Sequence, residues 1–389
     1  MKKALKRITL CLICLITVPA LSGCWGYTDI GEVFIVMGAA IDMDFNTNQY
    51  VMEIEILRPQ GGQETQMKVQ EVTGKGVTVF DAIRDAIIDA GGRLYWGHTQ
   101  VWVISQEVAE NGILPALDFV SRGIEFRSDI AILIMQKNSI ARLIGQRTER
   151  ELHDSISQHL NEMLAEYQRS GIFVKPPVWK VLSILEDEQE SLTLPLLEVY
   201  QKQGKEVLGL QGSAVFKGDR MIGELSFDES KYLYILNGKI TEEYILSIPE
   251  MQSLPRMTIE MEDTEIDTKI SVEENKLKAS AKYKMIANLN ELESTKDYLV
   301  QKGIKDIERA FGDYIREQMM DVVKTAQKKY GTDILGFGHQ VHIQAPDYWQ
   351  GVKQDWNTAF RDMDIQVEVF VEITRTGLDL KPMAAAGGE

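Results

Sequence analysis

The sulfur of Cys24 is the side-chain atom with the most definite chemistry in this sequence. It ends the run Leu21-Ser22-Gly23-Cys24, which looks like a lipobox: an apolar residue three places before the cysteine, then two small residues. At such a site the chain is cut before the cysteine. The cysteine then carries an S-diacylglycerol group and an N-acyl chain. Lys2, Lys3, Lys6 and Arg7 supply the basic head of a signal peptide, and Ile8 to Leu21 its apolar core. That core is too short for a spanning helix, which needs about 20 apolar residues. Residues 1–23 are therefore expected to be removed, leaving a mature chain tethered through Cys24.

No second constellation of reactive side chains is legible. His339 and His342 fall in an expected strand, where their spacing puts them on opposite faces. His153 and His159 lie on an expected helix and diverge around it. His98, after Trp96-Gly97 at the entry to a strand, stands alone and is expected to be a hydrogen-bonded structural histidine. The sequence has no phosphate loop, nucleophile elbow or dinucleotide fingerprint. Gly91-Gly92 follows a helix, not a strand, and reads as a terminator. The run Glu186-Asp187-Glu188-Gln189-Glu190 reads as a solvated turn, with at most weak attraction for divalent cations. No catalytic residue, cofactor or metal site is expected, and the chain does not read as an enzyme.

Cysteine usage agrees with the lipobox. Cys11 and Cys14 lie in the segment to be removed, so the mature chain keeps Cys24 alone. It can form no intramolecular disulfide and no cysteine-ligated zinc site. Packing must hold the fold, and a body of this size can bury a large core. The formal net charge is -16; losing Lys2, Lys3, Lys6 and Arg7 leaves 38 of the 42 basic residues against 58 acidic ones. Such a surface repels nucleic acid and anionic head groups. Attachment to a membrane then falls to acyl chains, two or more of which hold stably where one does not. No later stretch has the length and apolarity of a spanning helix.

The elements that carry these residues follow from periodicity. Glu32–Ile41 and Gln49–Leu57 read as strands joined by the turn Asp42 to Asn48, with Val51, Glu53 and Glu55 alternating with Met52, Ile54 and Ile56. Gly61-Gly62 and Gly74-Lys75-Gly76 punctuate a polar strand or loop. Val79–Ala90 is an amphipathic helix, Gln100–Ile104 a strand, and Glu107–Arg122 a helix broken near Asn111-Gly112. Ile130-Ala131-Ile132-Leu133-Ile134 reads as a buried strand. Helix follows over Glu149–Arg169, a break at Pro176-Pro177, and a short helix around Val181–Leu185. Leu192–Val199 is a strand, and Lys217-Gly218-Asp219-Arg220 marks a hairpin. Met257–Ile286 reads as paired strands. A long helix over Ser294–Tyr330 carries the stripe Val300, Ile304, Ile307, Phe311, Ile315, Met319, Val322 and Ala326, expected to face the core. Ser294 with Asp297 resembles a capping box, and Gly331 supplies the stop. Val341–Ile343 and Ile365–Ile373 read as strands. The fold class is α+β, multi-domain, with mixed sheets and helices and one long helix in the C-terminal domain. The expected division is the signal peptide 1–23, an N-terminal α/β domain 24–145, a helical connector or middle domain 146–205, a C-terminal α+β domain 206–378, and a disordered tail 379–389.

Several patterns in order give the chain a family. The lipobox runs directly into Trp25. Gly97-His98-Thr99-Gln100-Val101 is followed by Ile104-Ser105, Gly112, Leu117-Asp118, Arg122 and Glu125-Phe126-Arg127. Near the C-terminus come Tyr330-Gly331, Asp333, Leu335-Gly336-Phe337-Gly338, Pro346, Trp349, Trp356, Phe360 and Arg375-Thr376-Gly377. Together these resemble the Ger(x)C lipoproteins, the C subunit family of bacterial spore germinant receptors. One departure is Gly26 and Tyr27, which intervene before Asp29-Ile30. The resemblance implies palmitate-type lipidation at Cys24 and a place on the outer face of the spore inner membrane. It also implies integral-membrane A and B subunits as partners, a response to small nutrients, an unusual three-domain α+β fold, and no enzymatic activity. As plain structure, Trp349, Trp356 and Phe360 could pack on one core face of a helix, and Arg122, Glu125 and Arg127 could form an ion-pair cluster that fixes a turn. Trp25 and Tyr27 suit either the membrane interface or the domain's own surface. The alternative is a substrate-binding lipoprotein of an ABC transporter, which would show two βαβ-repeat lobes around a cleft. A lipid-anchored hydrolase is disfavoured by the missing constellation.

Overall fold

The computed structural model describes residue 6 and residues 33–60, 66–137, 155–169, 173–187, 189–240, 244–249, 255–274, 276–293 and 301–375. The expected lipobox Leu21-Ser22-Gly23-Cys24, Gly61-Gly62, His153, Ser294, Asp297 and residues 379–389 lie outside the described residues.

The apolar run around Ile132 sets the plan of the first half. In β6 (Ala131–Met135) all five residues are buried. Ile132 and Ile134 join one apolar cluster, while Ala131, Leu133 and Met135 join another. A strand apolar on both sides needs cover on both faces. It lies within a nine-stranded mixed sheet. The other strands are β1 (Val33–Asp44), β2 (Gln49–Gln60), β3 (Gln66–Gly76), β4 (Arg93–Tyr95), β5 (Val101–Ser105), β7 (Thr193–Lys202), β8 (Lys205–Lys217) and β9 (Arg220–Ser226). Their order is β3-β2-β1-β5-β6-β7-β8-β9, with β4 also beside β1. The central pairs β1–β5, β5–β6 and β6–β7 are parallel, and the flanks are antiparallel hairpins.

Among the described residues, six helices flank this sheet: α1 (Val79–Ala90), α2 (Gln106–Asn111), α3 (Leu114–Arg122), α4 (Ile156–Arg169), α5 (Val178–Glu186) and α6 (Phe227–Leu236). Buried residues of α1, α2, α3 and α5 pack on the face bearing Ile132 and Ile134. Those of α4 and α6 pack on the other. The break expected near Asn111-Gly112 separates α2 from α3.

The second sheet has the order β10 (Tyr244–Ile248), β11 (Met257–Glu273), β12 (Lys276–Leu292) and β13 (Asp364–Arg375). β11 and β12 form a long antiparallel pair, and β13 returns parallel to β12. Between them runs α7 (Gln301–Lys324), extended by a π turn to Tyr330 and stopped at Gly331 with φ 59°. Ile307, Phe311, Ile315, Met319, Val322 and Ala326 are all buried, as the stripe requires. Three short helices follow: α8 (Phe337–Gln344), α9 (Pro346–Val352) and α10 (Trp356–Asp362). One apolar cluster joins this unit to the α4–α6 side of the large sheet.

One expected element is corrected. Val341–Ile343 is not a strand; it lies within α8. Three residues alternate too briefly to distinguish the two periods. The carboxylate of Asp333 decides, by accepting from the backbone N–H groups that open this helix.

Sheet edges are closed by side chains from neighbouring helices. On the β3 edge, Asp85 of α1 accepts from Lys75 N–H at 2.9 Å and Asp89 from Thr73 N–H at 3.5 Å. Gly74 lets α1 approach this closely, since a β-carbon there would overlap the Ala82 carbonyl oxygen. Where β10 ends and leaves β11 open, Gln344 of α8 accepts from Ile270 N–H and donates to the Thr268 carbonyl. Tyr330 donates to the Glu224 carbonyl of β9 at 2.5 Å. Such caps remove the template that an open edge offers to another chain.

Candidate functional site

The turn between α7 and α8 is built around one buried acid. Asp333 Oδ1 accepts from the N–H groups of Leu335 (3.1 Å) and Gly336 (2.9 Å). Its Oδ2 accepts from Gly338 N–H (2.7 Å) and the Trp356 indole N–H (3.0 Å). Its own carbonyl accepts from Ser191 N–H, which ties the turn to the strand region before β7. Thr332 Oγ1 adds contacts to Ser191 Oγ at 2.5 Å and Asn357 Oδ1 at 3.1 Å. Burial pushes the Asp333 carboxyl up to about 6, opposed by the donors from Gly338 and Trp356. Four donors take up the lone pairs of the carboxylate, so none is left aimed at a substrate proton. Asp333 holds a turn.

Beside this turn lies a cleft of about 580 Å³, between α5, the end of α6, β11–β12 and α8. Lys239 Nζ meets Glu190 Oε1 at 2.8 Å across it, and His339 Nδ1 lies 3.3 Å from Gln189 Oε1. Lys180 and Asp267 line its other walls. Both signs of charge are present. The one histidine in the lining faces an amide, so the cleft presents polar binding chemistry and not a nucleophile with its base. The acidic run expected to be a solvated turn is thus partly drawn in: the Glu190 side chain is only 18% exposed.

The remaining expectations place as follows. His98 is exposed, with Nε2 3.5 Å from the Gln100 amide nitrogen. His339 and His342 stand one turn apart on α8, not on opposite faces of a strand, and His342 stacks on Trp349 at 5.6 Å between ring centroids. Trp349, Trp356 and Phe360 are all buried and contact one another in sequence, but from two helices and not one. Arg122, Glu125 and Arg127 do not form a cluster. Each pairs elsewhere, with Asp118, Arg93 and Asp129 respectively. Arg122 and Arg127 take acids four and two residues away, while Glu125 reaches back 32 residues to Arg93.

Two acids were not singled out by pattern. Glu55 is buried and accepts from Ser155 Oγ (2.7 Å), Ile156 N–H (2.9 Å) and Ser157 N–H (2.9 Å), so it caps α4 from a distant strand. Glu308 on α7 accepts from Ile373 N–H of β13. Only chain crossings distant in sequence reveal either role. Among the described residues, no group of three or more His, Cys, Asp or Glu side chains is placed to hold a metal ion, and no helix is long and apolar enough to cross a membrane.

Two mixed sheets sharing one core, with buried acids engaged in fixing turns and helix ends, define an α+β fold. Residues 26–199 match the family model described as spore germination protein N-terminal domain. Residues 211–377 match the one described as spore germination B3/GerAC like, C-terminal. The chain belongs to the Ger(x)C family of spore germination proteins. It is 24% identical to spore germination protein KC of Bacillus subtilis (strain 168), over 97% of this chain and 98% of that one. It is 24% identical to spore germination protein B3 of the same organism, over 92% and 95%. The crystal structure of the GerBC protein superposes with a TM-score of 0.57 at 20% identity, covering 87% of this chain and 97% of that one. That likeness is one of fold.

Proposed function

We propose that this chain is the lipid-anchored C subunit of a nutrient germinant receptor. It acts without catalysis at the outer face of the spore inner membrane, beside integral-membrane A and B subunits. The observation that carries this reading is the match to both germination-protein domains, in order, along nearly all of the chain after the lipobox. The lipobox supports the anchor: Cys24 carries the S-diacylglycerol and N-acyl groups. Confinement to the bilayer surface raises the effective concentration of the subunit for its membrane partners.

The test is Cys24→Ala in sporulating cells. The variant is expected to lose labelled palmitate, leave the membrane fraction and abolish the nutrient response, while the body melts at the wild-type temperature. Retained palmitate would sink the anchor. Affinity capture of the solubilised wild-type chain is expected to bring down multi-span membrane proteins; capture without them would sink the receptor assignment. For an ABC-type binding lipoprotein the expected fold was two βαβ-repeat lobes. The large sheet is instead a single mixed sheet, and the second has one parallel pair, so no observation favours that alternative.

A further inference from the structure

The large sheet has two ends that differ in charge and in apolar exposure. At the end where β1 begins, Val33 pairs with Arg93 and Ile35 with Tyr95. Arg93 forms an ion pair with Glu125, which brings Ile124 to the same end. Ile124 is 101% exposed and Tyr95 42%. The cations gather there too. The Arg58 guanidinium lies 5.0 Å from the Phe34 ring centroid, and Lys68 pairs in register with Arg58. At the other end of β1 the turn carries an exposed Phe45, but Asp42 and Asp44 stand beside it.

The tether selects between the two ends. Nine Cα–Cα steps separate Cys24 from Val33, a reach of at most about 30 Å. An acylated Cys24 therefore holds the start of β1 near the bilayer. Cations near an anionic surface are attracted to it, and acids are repelled. Exposed apolar side chains next to a membrane are stabilised by entering the headgroup boundary.

We propose that the β1-entry end of the large sheet is a bilayer-docking surface. Tyr95 and Ile124 enter the interface, and Arg58 and Lys68 meet anionic lipid head groups. The body is then held in one orientation, with the Phe45 turn pointing away from the membrane. This surface rests on the anchor reading of Cys24.

The experiment uses the full lipidated chain on equimolar phosphatidylglycerol–phosphatidylcholine vesicles containing a nitroxide-labelled lipid. With Cys24 in thioether linkage, a cysteine introduced as Ile124→Cys or Phe45→Cys is the single free thiol for a fluorophore. Ile124 is fully exposed, so the substitution leaves the packing intact. The fluorophore at 124 is expected to be quenched several-fold more than the one at 45. Equal quenching at the two positions, or none at either on vesicle-bound protein, would overturn the docking surface while leaving the anchor. Failure of the protein to float with vesicles, together with absent palmitate label, would overturn both.

Discussion

Glu308 on α7 accepts a hydrogen bond from the backbone N–H of Ile373 at 3.0 Å, closing part of the outer edge of β13 from the side. Lys305 Nζ holds the same carboxylate at 2.7 Å, and the Glu308 side chain is only 9% exposed. Four residues on, Gly312 faces the Val369 carbonyl, which would lie 2.8 Å from a β-carbon there. A helix thus lies against an edge strand closely enough to satisfy its backbone. The device recurs at β3 with Asp85, Asp89 and Gly74. Acids that look like ordinary solvated charges are hydrogen-bond acceptors for sheet edges.

Replacing Glu308 with Ala leaves the Ile373 N–H without its acceptor. The expected cost is about 1–3 kcal/mol of unfolding free energy. Glu308→Gln keeps an acceptor oxygen and is expected to recover most of that. Denaturant midpoints of the two variants check this; equal losses would assign the effect to the Lys305 pair instead.

Gly74→Ala is expected to cost about 1–3 kcal/mol, because the new methyl meets backbone of α1 and not a movable side chain. Gly351, on α9, has open space around its β-carbon position and no positive φ. Gly351→Ala is expected to stabilise by about 0.5–1 kcal/mol through helix propensity and a less flexible unfolded chain. Thermal melts of the pair should move in opposite directions.

Asp333 gives the fold a pH dependence of definite sign. Its carboxyl is raised from the ordinary value of 3.8 to about 6, with burial as the main cause. The folded state therefore holds the proton more tightly than the unfolded chain. The stability contributed by this group is full below pH 3.8 and is lost as pH rises through about 6, then stays level. The span of roughly two units corresponds to roughly 3 kcal/mol. Asp333→Asn cannot ionise, so its unfolding free energy should fall less between pH 4.5 and 7.5 than that of the wild type. Identical slopes would mean that Asp333 does not titrate in this window.

Trp356→Phe preserves most of the contact with Trp349 and Phe360 but removes the indole donor to Asp333 Oδ2. The loss of a donor to the ionised form is expected to raise the Asp333 carboxyl further. It should also cost about 1–3 kcal/mol near neutral pH. The predicted signature is a larger penalty at pH 7.5 than at pH 4.5, measured by urea unfolding. A penalty that does not change with pH would point to packing alone.

Long periodic elements were legible because their burial is one-sided or complete. The α7 stripe, the all-apolar β6 and the hairpin at Gly218-Asp219 each follow from local pattern. The residues around Val341 were not, because a short apolar alternation fits either period and Asp333 supplies the deciding helix start. Arg122, Glu125 and Arg127 looked like partners by nearness in sequence, yet Arg122 and Arg127 take acids in their own turns, and only the Arg93 partner of Glu125 is brought in by the fold.

By itself the sequence determined the acidic composition, most helices and strands, and the ordered motifs that give the family. Those properties depend on composition, on periods of two or 3.6, and on fixed spacing along the chain. Only the tertiary structure decided that Glu55 caps α4, that Glu308 closes β13, and that Arg58, Arg93 and Ile124 share one end of a sheet. The partners in each case are brought together by strand order and helix packing, and no local pattern encodes which distant segments will meet.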